Sequence, residues 1–154
     1  MEPETLDAFE RKLRAAREFE HRIEHERGTA IFRVRLPTPG EQRLIAGPFF
    51  RGNTIPDGNL AAFNRKLAET VVVGWSGVTS RDLSGESDSP VGFSDRALRI
   101  LLDERPDWQD EILEHAIVEK RRREEALEAD RKNSSSGSPG SSTPARRPAS
   151  KRSA

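Results

Sequence analysis

The stretch LDAFERKLRAAREFEHRIEHERGTAIFRVRL, Leu6 to Leu36, sets the fold of the chain's first quarter. Leu6, Phe9, Leu13, Ala16 and Ile23 recur at steps of three and four, with a gap at Glu20 and Phe19 beside it, among Glu, Arg and Lys. That period predicts an amphipathic helix of about 20 residues, ending near Gly28. After Gly28 the period changes: Ala30, Phe32, Val34 and Leu36 alternate with Ile31, Arg33 and Arg35, as in a strand with one apolar face. Pro37 ends it.

Further along, Thr38, Pro39 and Glu41 spell a helix start, because a Thr hydroxyl caps a free amide and a Glu three residues on reciprocates. Residues 47–59 are rich in turn formers, with Phe49 and Phe50 expected in the core. Leu60, Phe63, Leu67 and Val71 mark one face of the next helix, which is expected to run to Val73, although a β-branched run also suits a strand. From Gly74 to Pro90 the chain reads as irregular. Ser94 caps a helix carrying Ala97, Leu98, Leu101 and Leu102, and Pro106 opens another with a stripe at Trp108, Ile112, Leu113, Ala116 and Ile117.

The fold class expected from this pattern is mainly α: a small helical domain with one or a few short strands, a long N-terminal amphipathic helix and a disordered C-terminal tail. The boundaries are residues 1–28 for the charged helix, 29–130 for the domain and 131–154 for a basic tail rich in Ser, Pro and Gly. Of 154 residues 33% are apolar and 34% charged, so the core is modest and oligomerisation is a reasonable way to bury more surface. The zero net charge is a sum of unlike parts. Residues 131–154 carry six bases and no acid, which leaves residues 1–130 at −6. With no cysteine, disulfides and thiolate metal sites are excluded. No segment has the apolar length of a membrane span, and the acidic N-terminus lacks a signal core.

Three patterns touch on chemistry. His21-Arg-Ile-Glu24-His25 matches the H-x-x-E-H zinc peptidase motif, in which two His on successive helical turns hold the metal and the Glu activates water. It lies in a surface-type charged segment, and no metal site or cofactor is expected. Gly74-Trp75-Ser76-Gly77 approaches the nucleophile elbow G-x-S-x-G, but Val78 breaks it, and no catalytic residue is assigned. Glu119-Lys-Arg-Arg-Arg123 and the basic tail could neutralise phosphates, yet EEALEAD follows and the tail has no aromatic residue for stacking, so nucleic acid is disfavoured.

FNRKLAETVVVGWSGV, the polar loop after it, and PVGFSDRALRILLDERPDWQDEILEHA together resemble the tail assembly chaperones of long-tailed bacteriophages and prophages. Trp75, Gly77, Val78, Pro90, Phe93, Ser94, Leu98, Leu101 and Leu102 carry the likeness, which extends over residues 31–119. The resemblance implies a non-enzymatic protein in the host cytoplasm that coats the tape measure protein, recruits tail tube subunits, self-associates and is absent from the finished virion. The alternative is a structural tail or head-tail component retained in the particle. Leu6, Phe9, Leu13 and Ile23 are the expected partner-binding residues.

Overall fold

The computed structural model describes residues 3–137, with side chains from 5 to 133. In chain order the elements are α1 (Pro3–Ala16), β1 (Glu18–His25), β2 (Gly28–Arg35), α2 (Pro39–Ala46), α3 (Asp57–Val71), β3 (Val72–Ser76), a 3₁₀ turn (Ser80–Leu83), α4 (Asp95–Glu104) and α5 (Pro106–Gly137). The chain divides after Ala116 into two units. The first unit is built on a three-stranded antiparallel sheet in the order β1-β2-β3.

This corrects the mainly α expectation, and the correction begins inside the opening stretch. The N-terminal helix stops at Ala16, and residues 18–25 form the edge strand of a hairpin whose two-residue turn is Glu26-Arg27. Period 3.6 and period 2 compete here, and Ile23 satisfies both. A strand also turns Phe19, His21 and His25 inward beside Ile23, while Glu18, Glu20, Arg22 and Glu24 face water. Pairing along all of β2 supplies the ladder that a solvated helical turn lacks, so tertiary pairing overrides the local pattern. The backbone at Arg17 seals the junction: its carbonyl accepts from the Leu36 amide at 2.9 Å, and its guanidinium donates to the Pro37 carbonyl at 3.2 Å.

The Val71–Val73 run divides between two elements. Helix α3 ends at Val71, and β3 pairs with β2 through a bulge: Phe32 lies opposite Trp75 and Arg33 opposite Gly74, but Val34 lies opposite Val72. Val73 is the extra residue. Strict alternation would put Val72 and Trp75 on opposite faces, and the bulge brings both to the face of Phe32 and Val34. On the outer face Arg33 lies against Gly74, donating to the Val73 carbonyl at 3.3 Å and pairing with Glu18 at 3.4 Å.

The inner face of the sheet (Ile23, Ala30, Phe32, Val34, Val72) meets Ala68 and Val71 of α3, Leu98, Leu101 and Leu102 of α4, and Trp108, Ile112, Leu113 and Ala116 of α5. Helices on one face of an antiparallel sheet make this an α+β unit. Phe49 and Phe50 do not join that core. Half-buried, they meet Phe63 edge-on at 5.9 and 5.8 Å in a satellite cluster outside it. Leu60 and Ile117 are also exposed.

The expected helix starts are present. Thr38 and Glu41 form a reciprocal capping box, and Glu41 takes both nitrogens of Arg35 at 2.8 and 2.9 Å. The Arg35 guanidinium, then the Thr38 amide, hold the Glu41 carboxyl down at about 2. Ser94 accepts from the Ala97 amide at 3.0 Å. Helix α5 extends through Gly137, and residues 138–154 of the expected tail lie outside the described residues. Glu119 holds Arg122 and Arg123 one turn on, at 2.7 and 2.6 Å.

Candidate functional site

Helix α1 carries an exposed apolar ridge. Every residue from Thr5 to Ala16 is exposed, so no face of the helix is buried by the fold. Leu6, Phe9 and Leu13 nevertheless form one apolar ridge at 52, 48 and 49% exposure. Ala16 continues it at the three-four-three spacing of a coiled-coil seam. The last turn faces the rest of the unit across an open cleft of about 420 Å³, lined by Leu13, Arg14, Arg17, Arg35, Thr38 and Glu41. The fourth expected partner-binding residue is elsewhere. Ile23 is 4% exposed on the core side of β1, opposite Ala30, so it packs the fold and shares no surface with the other three.

Trp75, Gly77, Val78, Pro90 and Phe93 meet around one loop, residues 77–93. The Trp75 indole donates to the Val91 carbonyl at 2.7 Å and stands edge-on to Phe93 at 5.1 Å and to Phe32 at 6.1 Å. Val78 is buried and its carbonyl accepts from the Val91 amide, with Thr79 bridged to Pro90 beside it. Gly77 has φ +76°, and a Cβ there would collide with the Thr29 carbonyl, so the chain crosses the hairpin only with a bare backbone. Ser76 ends β3 opposite Ile31, exposed and one residue before that crossing.

These positions predict unequal mutational costs. Trp75→Ala removes a half-buried indole and its hydrogen bond and should cost about 3 kcal/mol. Ser76→Ala should stay within about 0.5 kcal/mol of the parent. Urea denaturation of both variants tests the pair. A Ser76→Ala loss equal to that of Trp75→Ala would contradict this assignment.

Sequence reasoning missed Asp82. It is fully buried, yet its carboxylate accepts from the Thr79 amide at 2.8 Å, the Thr79 hydroxyl at 3.1 Å and Arg27 Nη2 at 2.6 Å, with Arg105 at 3.9 Å. Burial pushes its pKa up, but the Thr79 amide, Arg27 and the Thr79 hydroxyl outweigh burial and hold it below the ordinary carboxylate value. The node joins the β1–β2 turn, the 3₁₀ turn and the α4–α5 junction. The capping pattern Thr79-x-x-Asp82 was its only sequence signal.

All three histidines gather where β1 meets α5. His21 Nε2 lies 2.7 Å from Glu111 Oε2, and its ring is 4.0 Å from that of His115. His25 lies 5.3 Å from Trp108, over which the Arg105 guanidinium sits at 5.3 Å. The H-x-x-E-H match therefore takes a geometry foreign to its helical meaning. On a strand His21 and His25 are about 13 Å apart along the chain and Glu24 points to the other face, too far apart to share an ion with Zn–N bonds of about 2 Å. Among the described residues no group of three His, Asp or Glu side chains is arranged to hold a metal ion, and no helix is long and apolar enough to cross a membrane.

Comparison with protein-family models, curated proteins and solved structures finds no match for this chain.

Proposed function

We propose that the chain is a phage tail assembly chaperone, a binding protein that covers apolar helices of the tape measure protein in the host cytoplasm and helps recruit tail tube subunits. The observation that carries this reading is the α1 ridge. Leu6, Phe9 and Leu13 form an apolar stripe on a helix that the fold leaves uncovered, beside a small, highly charged unit. A helix with such a stripe binds another apolar helix through anchors at i, i+3 and i+7. The Trp75–Phe93 loop supports the reading in a second way, because Trp75, Gly77, Val78, Pro90 and Phe93 of the family-like motif all take part in closing it.

Co-expression with a tape measure protein tests it. The tape measure is expected in the soluble fraction with the parent chain and in the pellet with a Leu6→Asp, Phe9→Asp, Leu13→Asp variant that is itself folded. A tape measure left insoluble by the parent would refute the chaperone function. Detection of the chain in purified virions would favour the alternative, a tail component retained in the particle.

A further inference from the structure

We infer that the cleft beside the last turn of α1 is a binding site for a peptide carboxylate, with Arg17 as its anchor and Leu13 as the wall for the apolar residue next to that carboxylate. The inference goes beyond the proposed function: its ligand is an anion, whereas the ridge takes an apolar client, and either can fail without the other. At about 420 Å³ the cleft falls within the ~300–1,000 Å³ of small-ligand sites. Three guanidinium groups line it, those of Arg14, Arg17 and Arg35, against the two carboxylates of Glu10 and Glu41.

The hydrogen bonds show which of these charges are taken. Glu41 Oε1 accepts from Arg35 Nη1 at 2.8 Å and from the Thr38 amide at 2.9 Å, and Oε2 accepts from Arg35 Nη2 at 2.9 Å. That pair is closed on itself. Glu10 and Arg14 meet at 3.1 Å, but both side chains are largely exposed, so the pair is a weak surface one that exchanges partners at little cost. Arg17 is the cation in excess. Among the described residues no carboxylate pairs with it, and its guanidinium donates from Nη1 to the Pro37 carbonyl at 3.2 Å, which leaves the rest of its N–H fork for a ligand.

Arg17 is also ordered in advance. Its amide donates to the Arg14 carbonyl at 3.1 Å, its own carbonyl accepts from Leu36 at 2.9 Å, and Pro37 holds the guanidinium of this partly buried residue. An anchor already held in place loses little conformational freedom on binding. A guanidinium fork matches the paired oxygens of a carboxylate, and phosphate shares that chemistry. Leu13 decides for a peptide carboxylate: half exposed on the same cleft, it offers apolar surface that a residue beside the acid can bury and free phosphate cannot.

Amide chemical shifts of the full chain, followed by NMR, test the site with acetyl-Leu-Glu-amide as ligand and with acetyl-Leu-Gln-amide and inorganic phosphate as controls. Saturable shifts are expected at Leu13, Arg14, Arg17 and Thr38 with the Glu peptide alone. Arg17→Gln should bind it about tenfold more weakly, the scale of one charge-assisted hydrogen bond. Glu10→Gln, an exposed change, should bind it about threefold more tightly, because it frees Arg14 and removes a like charge. A merely structural role of Arg17 would not produce that gain, so the site can be judged even where Arg17→Gln unfolds. No saturation by the Glu peptide, an equal response to the Gln peptide, or unchanged affinity in Glu10→Gln overturns the inference. Phosphate shifts as large as those of the peptide overturn the peptide assignment and make the cleft a site for free oxyanions.

Discussion

Asp82→Ala is expected to lower stability by about 3–5 kcal/mol, the usual cost of removing one partner from a buried charge cluster. Small domains have only about 5–15 kcal/mol in total, so the variant should unfold at far lower urea than the parent. The size of the effect follows from what is left behind. Arg27, which reaches Asp82 at 2.6 Å, loses its carboxylate, and the Thr79 amide and hydroxyl lose their acceptor. Asp82→Asn keeps the shape and one acceptor oxygen and should cost less. A loss below about 1 kcal/mol for Asp82→Ala would place the node among ordinary surface ion pairs.

The same carboxylate sets a pH dependence. Its folded pKa lies below the ordinary 3.8, so its contribution is fully present above that value and is lost as pH falls through the lowered folded value. Glu41 acts in the same direction, losing its contribution between 4.5 and about 2. Parent stability should therefore fall steeply with acid over this range, and the slope should be shallower in Asp82→Asn. Equal slopes would show that the Asp82 pKa is unchanged by folding.

Phe32→Ala is the second large expected effect, about 3–5 kcal/mol for a fully buried aromatic side chain. Phe32 lies at the centre of β2 and meets Trp75 edge-on at 6.1 Å and Trp108 at 5.9 Å. Aromatic pairs of this geometry add about 0.5–1.5 kcal/mol beyond area burial. Both tryptophans of the chain contact this one ring, so their fluorescence reports on it directly. Emission of the variant should shift to the red under native conditions, and chemical denaturation should show the lower midpoint. Parent-like emission together with parent-like stability would mean that the sheet does not pack on α5 through Phe32.

The most local features were legible from sequence. Thr38 with Glu41, and Ser94, are caps whose partners lie three residues away, and the Trp108, Ile112, Leu113, Ala116 stripe is read off one helix. The need for a bare backbone at Gly77 is not local, because the Thr29 carbonyl that forbids a side chain there is 48 positions earlier. Of the expected interaction residues, Leu6, Phe9 and Leu13 share a surface because they lie within one helix. Ile23 joins them only if the helix continues past Ala16, and there the chain turns into β1.

The sequence by itself determined the elements whose partners are close along the chain: caps, helix stripes, the apolar row of β2 and the ridge of α1. Tertiary structure decided the rest. Residues 18–25 fit either period and became a strand because β2 offered a complete hydrogen-bonding edge. The bulge at Val73 reconciled Val72 and Trp75 with one core face. Asp82 became a buried node because Arg27, 55 residues earlier, reaches it. Periodicity records how a residue relates to its chain neighbours, whereas these outcomes depend on hydrogen bonds and charges brought together only by folding.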